Sequence, residues 1–348
     1  MNRQFPALRG MAIFMVVVNH SIVLSLLAIT QFQLPRPPLL ERNILLAIKE
    51  IGVLAVPTFL FLAGCFMMYS LQDKPLTQAY RLIVPSLLHA IIPYLVWSVV
   101  FYIFVYFLRG ETSSFTGYMK NILVGYPYNF VPILIAFILI SPILAVLTKK
   151  YAVWIIGLFV IYQIILLNIQ LPGILGFTFP SWMNILSLPI LGLPLTLWAV
   201  FYPLGMVYIR HSQRIKGVLN YLKWIILTIT ILLFGLAVAH EIEFISFPLA
   251  EWAFPLVAVW NFPLIDRKSI PLVKFLENLG KRSYGIYLLN LTILTLLTQL
   301  AGRFLPIIYR IESVMVVLLA TITLLFTVSL MGWVEKGPGR KLYRILFG

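Results

Sequence analysis

The chain has 348 residues, of which 61% are hydrophobic and 11% are charged, and its mean hydropathy is +0.99. Soluble domains are about half apolar and about a quarter charged, so this composition excludes an ordinary soluble protein and indicates a polytopic membrane protein. The formal net charge of +15 does not indicate nucleic-acid binding, because the basic residues are scattered between apolar runs. The single cysteine, Cys65, excludes an internal disulfide and a thiolate metal cluster.

The first apolar run, residues 5–21, carries two residues that are rare in membrane spans, Arg9 and His20. No small-x-small cleavage site follows it, so we expect a retained span and not a signal peptide. At about 100° per residue, a spacing of eleven positions places both side chains on one helical stripe, roughly 16 Å apart along the axis. Arginine and histidine within a span are costly and usually have a partner or a water-filled cavity. The pattern therefore predicts a polar crevice along this helix, with His20 as the main candidate for chemistry.

Ten apolar runs approach the length of about 20 residues that a membrane-spanning helix needs. We therefore expect residues 1–348 to form one all-α integral-membrane domain, a bundle of about ten transmembrane helices with both termini on the cytoplasmic side. The predicted spans are residues 7–29, 44–71, 82–108, 130–148, 151–170, 194–209, 219–239, 247–262, 283–301 and 313–334.

The distribution of basic residues supports this count and orientation. With a cytoplasmic N-terminus, lysines and arginines fall on the inner side, except for Arg36, Arg42, Lys49, Arg109, Lys120, Arg303 and Arg310. Such a bias follows the positive-inside rule and predicts a multi-pass protein of the inner cell membrane. Prolines inside several spans predict broken helices around a cavity, which suits an enzyme or a transporter.

Several motifs accompany the Arg9 and His20 pair: FLAG at 61–64, PYLVW at 93–97, SYGIYLL at 283–289 and VEK at 334–336. Close helix packing is the simplest interpretation of Gly64 in the first of these. The ordered set resembles the acyltransferase 3 family of integral-membrane acyltransferases, many of which O-acetylate cell-surface sugars, over nearly the whole chain. The resemblance implies a ten-helix bundle whose cytoplasmic mouth takes an acyl-CoA and whose crevice leads acyl groups toward an acceptor at the outer face.

The resemblance also implies roles for individual residues. It implies acyl-CoA as a co-substrate, with no permanently bound cofactor, and the phosphates of the donor would be held by the inner-face cations Arg9, Arg81, Lys281 and Arg282. His20 would act as general base on an acceptor hydroxyl, or would transiently accept the acyl group itself. The sequence does not separate these two routes. We expect further substrate contacts from Asn19, Tyr94, Tyr284, Asn290 and Glu251.

Two positions depart from the family pattern. Arg81 stands without a second arginine at the expected spacing, and Asn290 stands where many relatives end the SYGIYLL run with histidine. These departures concern the donor mouth and the ninth span, and they leave the Arg9 and His20 pair intact.

The other histidines have simpler interpretations. His240, Glu241 and Glu243 cluster at an outer helix end, but the sequence places no fourth ligand there, so we expect a solvated rim and no metal site. His89 lies within the third span, where it lines either the crevice or the helix surface. His211, in a basic inner loop, is expected to be a solvated residue.

Two functions of different classes fit these observations. The first is transfer of an acyl group from acyl-CoA to a hydroxyl of a cell-surface or lipid-linked carbohydrate; acetyl is the expected group, although the sequence does not separate it from succinyl. The second is a multi-pass transporter or exporter of a small molecule or glycan precursor, because broken helices and midplane polar groups also build translocation sites. The two halves of the chain show no recognisable repeat, and the spans contain few carboxylates that could couple transport to an ion. Both features favour the enzyme over the transporter. The sequence leaves the acceptor and the oligomeric state open.

Overall fold

The computed structural model describes residues 4–186 and 198–348, which are 84% helical and contain no strands, as the all-α prediction requires. The α-helices in these ranges are α1 (Phe5–Gln31), α2 (Leu39–Gly52), α3 (Ala55–Leu71), α4 (Leu76–Arg109), α5 (Phe115–Val124), α6 (Phe130–Gln170), α7 (Phe201–Arg210), α8 (Ser212–Glu241), α9 (Leu249–Ala258), α10 (Val273–Lys281), α11 (Ser283–Phe304), α12 (Glu312–Lys336) and α13 (Tyr343–Phe347).

Seven helical stretches in the described ranges are long and apolar enough to cross a membrane, so the protein is an integral membrane protein. They are Phe5–Gln31, Leu39–Leu71, Leu76–Leu108, Phe130–Gln170, Ser212–Glu241, Ser283–Phe304 and Glu312–Lys336. The count of ten spans and the cytoplasmic position of both termini stay predictions.

Several predicted spans differ in detail from the helices that form. Residues 44–71 are divided between α2 and α3, because Pro57 in the first turn of α3 has no amide hydrogen to continue the preceding helix. By contrast, residues 130–148 and 151–170 form two helical segments of α6 that meet at Tyr151, where the backbone is non-helical (φ −116°, ψ 28°), so the predicted break between these two spans is present. The span predicted at 247–262 contains the short helix α9 followed by a 3₁₀ helix.

Of the span predicted at 194–209, only residues 198–209 fall within the described ranges, and residues 194–197 lie outside them. Its remainder contains α7, which is ten residues long and buried from Phe201 to Ile209. It packs against α3 and α6. A Cβ atom added to Gly64 would overlap the backbone carbonyl of Tyr202, and one added to Gly205 would overlap that of Phe61. These two glycines therefore allow backbone contact between α3 and α7, which confirms the packing interpretation of Gly64.

The bend in α6 is contacted from a neighbouring helix. His211 lies 2.9 Å through its Nε2 from the carbonyl oxygen of Thr148, so this ring nitrogen donates. The side chain is half-buried at the junction of α7 and α8, which corrects the expectation of a solvated loop residue. The sequence did not reveal that a basic loop would fold against the bend.

Helices α1 and α11 lie at the centre of the bundle. In the apolar 18-residue stretch of α11, 72% of the residues are buried inside the protein, whereas in that of α8 only 6% are. Helix α8 therefore lies at the rim of the bundle with its apolar side chains exposed. Helix α1 contacts α2, α3, α10, α11 and α12. Gly10 and Gly280 allow α1 and α10 to meet at backbone distance, because a Cβ on either would overlap a carbonyl of the other helix.

Candidate active site

Helices α1 and α11 run parallel and hold polar residues at three successive levels. Arg9, His20 and Gln31 lie on one stripe of α1, because each is eleven positions from the next. At the middle level, His20 Nδ1 lies 2.7 Å from Asn290 Oδ1. At the third level, Gln299 Nε2 donates to Gln31 Oε1 over 3.0 Å. The predicted polar crevice therefore has a physical counterpart along the α1–α11 contact.

A cavity of about 210 Å³ marks the first level. Its polar lining consists of Arg9 together with Ser283, Tyr284 and Tyr287 of α11; the apolar remainder is formed by Phe59, Leu62, Ala63, Phe66, Met67, Phe130, Leu134 and Ile138, with Tyr202. The volume is below the ~300–1,000 Å³ of pockets that enclose drug-sized ligands. The cavity therefore suits a narrow part of a substrate.

Arg9 makes no hydrogen bond and no ion pair with any of the residues that the structure describes. The buried Oγ of Ser283, in the lining of the same cavity, also has no hydrogen-bond partner there. A guanidinium in a mostly apolar wall is unfavourable without an anion or a dipole to compensate it. The pair points to a ligand with acceptor oxygens.

The hydrogen bonds of Asn290 determine which nitrogen of His20 carries the proton. Its amide nitrogen donates to the carbonyl oxygens of Ile286 (3.1 Å) and Tyr287, and this leaves Oδ1 as the atom that faces the histidine. Because an amide oxygen only accepts, His20 Nδ1 must donate. Neutral His20 then has its lone pair on Nε2, the form that a general base or a nucleophile needs.

The third level borders a larger cavity of about 700 Å³, at what the predicted topology makes the outer end of α1. Its polar lining consists of Thr30, Gln31, Glu111, Thr298, Gln299 and Arg303. His20 is thus located between two cavities along the stripe of α1, roughly 16 Å of helix from the level of each.

The four cations that were predicted to bind the acyl donor differ in exposure and in ion pairing. Arg81 and Lys281 are exposed and form no ion pair within the described ranges. Arg282 donates through Nη2 to Glu335 Oε2 over 2.8 Å. Of the four predicted donor cations, the cavity brings in only Arg9, while Arg81 and Lys281 remain available at the surface.

The residues that were predicted to contact substrate do not all lie at the inner cavity. Tyr284 lines the inner cavity, and its hydroxyl donates to the Ala90 carbonyl. Tyr94 donates to the Ile122 carbonyl and is not part of the cavity lining. His89 is exposed on α4.

Asn19 and Glu251 also have other neighbours. Asn19 donates from Nδ2 to the Lys49 carbonyl over 3.0 Å. Glu251 is in the first turn of α9, with one carboxylate oxygen 3.8 Å from His240 Nε2. Neither residue lines the inner cavity.

The contact between Asn290 and His20 was not predicted from the sequence, where Asn290 was expected to contact substrate and was noted as a departure from the family pattern. A usable signal was present, since Asn290 follows Ser283 by seven positions and Tyr287 by three, which places the three residues on one face of α11. That face and the stripe of α1 are the two polar faces that meet.

A model of the acyltransferase domain family matches residues 2–334 of the chain. No curated protein and no solved structure matches the chain.

Proposed function

Because this chain belongs to the acyltransferase 3 family and is a membrane-embedded acyltransferase, we propose that it moves an acetyl group from acetyl-CoA at the cytoplasmic face to a hydroxyl of a cell-surface or lipid-linked carbohydrate. The observation that carries the proposal is the His20–Asn290 hydrogen bond on the same α1–α11 contact as Arg9, which has no partner in the part of the chain that the structure describes. It combines a candidate base in a defined tautomer with a candidate anion-binding group.

In this proposal the donor is held by charge and shape. Exposed Arg81 and Lys281 contact the nucleotide phosphates at the inner mouth, and Arg9 donates hydrogen bonds to a phosphate or carbonyl oxygen of the pantetheine arm. The inner cavity is too small for the nucleotide, so the arm alone enters between α1 and α11. The thioester then points along the stripe toward His20.

The chemical step uses the lone pair on His20 Nε2. This nitrogen takes the proton of the acceptor hydroxyl as the hydroxyl oxygen forms a bond to the thioester carbonyl carbon. The C–S bond breaks, and CoA leaves as the thiolate, which is protonated by the imidazolium or by water. Asn290 holds Nδ1–H throughout and stabilises the positive charge that His20 gains.

The binding half of the proposal is tested by a thermal shift of the detergent-purified protein with acetyl-CoA. A ligand that binds only the folded state raises its melting temperature, Tm. We expect acetyl-CoA to raise the Tm of the wild type, to have little effect on Arg9→Ala, and to act on Arg9→Lys only at higher concentration, since lysine keeps the charge but not the fork of donors.

The control is Arg310→Ala, an exposed cation predicted on the outer face, which should respond like the wild type. Equal responses of Arg9→Ala and the wild type would contradict the donor site. A wild type that responds to neither acetyl-CoA nor succinyl-CoA would contradict the whole proposal.

A further inference from the structure

Three carboxylates converge away from the inner cavity, where α2, α8 and α9 meet. Glu50 is in the last turn of α2, Glu241 ends α8, and Glu251 is in the first turn of α9. Each carboxylate has one oxygen in the cluster, and these three oxygens all lie within 4.8 Å of one another. The sequence grouped Glu241 with His240 and Glu243, but helix packing brings it to Glu50 and Glu251.

The charges in this carboxylate cluster are not balanced. Lys49 Nζ lies 2.5 Å from Glu241 Oε1, and His240 Nε2 lies 3.8 Å from Glu251 Oε1, where it contributes a positive charge only when it is protonated. When all three are ionised, three carboxylates facing one ammonium leave two negative charges uncompensated. Like charges this close repel strongly away from bulk water.

Glu50 provides an independent indication of a ligand. It is only 2% exposed, and its Oε2 has no hydrogen-bond partner among the residues that the structure describes. Buried carboxylate oxygens in native proteins are almost always satisfied by a donor or by a cation. The unsatisfied oxygen belongs to a side chain that already points at two other carboxylates.

We propose that Glu50, Glu241 and Glu251 together bind one Ca²⁺. Oxygen-only donors suit a hard cation, and two positive charges match the two uncompensated carboxylates. At Ca²⁺–O distances of 2.3–2.6 Å, two oxygens on one ion are at most about 4.6–5.2 Å apart, and the three carboxylate oxygens, all within 4.8 Å of one another, are close enough to share the ion. Mg²⁺ usually keeps several waters and is held by one or two carboxylates, so a set of three carboxylates favours Ca²⁺.

Such a site would join three helices behind the candidate active site. The carbonyl of Lys49, next to Glu50, accepts the hydrogen bond of Asn19, which precedes His20 on α1. Calcium would therefore stabilise the α2–α8–α9 junction against which this part of α1 is held. The role is structural, and it does not depend on the acyl donor or on the acceptor.

The test uses the full-length protein in detergent, treated with EDTA and then titrated with CaCl₂ or MgCl₂. We expect a saturable rise of Tm with CaCl₂, a weaker response to MgCl₂, and binding of one radioactive Ca²⁺ per chain in equilibrium dialysis. Glu50→Gln and Glu251→Gln remove proposed ligands and should weaken Ca²⁺ binding by at least the roughly 10- to 100-fold that loss of a residue supporting a ligand causes. The control Glu312→Gln removes another fully buried carboxylate, outside the carboxylate cluster, and should bind like the wild type.

The proposal is overturned if the wild type shows neither a Tm response nor dialysis binding, which would mean that protons alone compensate the cluster. It is equally overturned if Glu50→Gln and Glu251→Gln bind Ca²⁺ as tightly as the wild type. Dialysis keeps the test informative for a variant whose Tm is already lowered. Because no acyl-CoA is present, the result is separate from the fate of the proposed transferase activity.

Discussion

Removing the Asn290 acceptor tests whether the His20–Asn290 pair is a catalytic device. In Asn290→Leu the Nδ1–H of half-buried His20 loses its acceptor, which costs about 1–3 kcal/mol for a buried unsatisfied group. If that cost appears in the transition state, where His20 gains positive charge, then at about 1.36 kcal/mol per tenfold the rate falls by about 5- to 160-fold. The assay is release of CoA thiol from acetyl-CoA by purified protein, with water as the acceptor.

Three further variants make this measurement decisive. Asn290→Asp retains an acceptor oxygen and should lose much less activity than the leucine variant. Thr295→Val alters another buried polar residue of α11 and should behave like the wild type. The double variant His20→Ala/Asn290→Leu should be no slower than His20→Ala alone, because the two residues act as one unit. Wild-type turnover in Asn290→Leu would refute the assigned role of the hydrogen bond.

Other predictions concern the donor mouth and the scaffold. Glu335→Gln releases Arg282 from its ion pair, so we expect equal or tighter acetyl-CoA binding in a thermal shift; clearly weaker binding would exclude Arg282 as a donor contact. Gly64→Ala forces a methyl group into the backbone of α7 and should cost about 1–3 kcal/mol in detergent unfolding, whereas Gly157→Ala, with nothing within 4 Å of the added Cβ, should not destabilise. Trp97 donates a 2.7 Å hydrogen bond to the Leu346 carbonyl and stacks on Phe347, so Trp97→Phe should lower stability by about 0.5–1.5 kcal/mol through the lost hydrogen bond; an unchanged Tm would show that ring stacking alone holds the C-terminal segment.

The sequence predicted the broad architecture well because membrane spans are encoded locally. An apolar run of sufficient length forms a helix wherever it is placed, so the all-α class and the spans of α1, α4, α11 and α12 could be recognised directly. Breaks within an apolar run depend on finer features. Pro57 marks the division between α2 and α3, which were predicted as one span, whereas the predicted break between residues 148 and 151 is present at Tyr151 although no proline lies beside it.

The sequence predicted which site residues share a face of one helix, but not which residues of different helices come into contact. The spacing of Arg9 and His20 gave the stripe, because helical periodicity relates positions within one element. The contact with Asn290 joins residues 270 positions apart, and the register between α1 and α11 is set by packing between helices, as at the backbone contact of Gly10 with α10, the helix that precedes α11. Glu50 was overlooked for the same reason, since its carboxylate partners come from α8 and α9.

The central claim is that His20 activates the acceptor, and the most direct test is acetyl-CoA cleavage by purified His20→Ala. We expect the release of CoA thiol to fall from the wild-type rate to the uncatalysed level in His20→Ala, while acetyl-CoA still raises the Tm of the variant. His89→Ala, which removes an exposed histidine of α4, should retain wild-type cleavage. Wild-type cleavage by a folded, acetyl-CoA-binding His20→Ala protein would contradict the account.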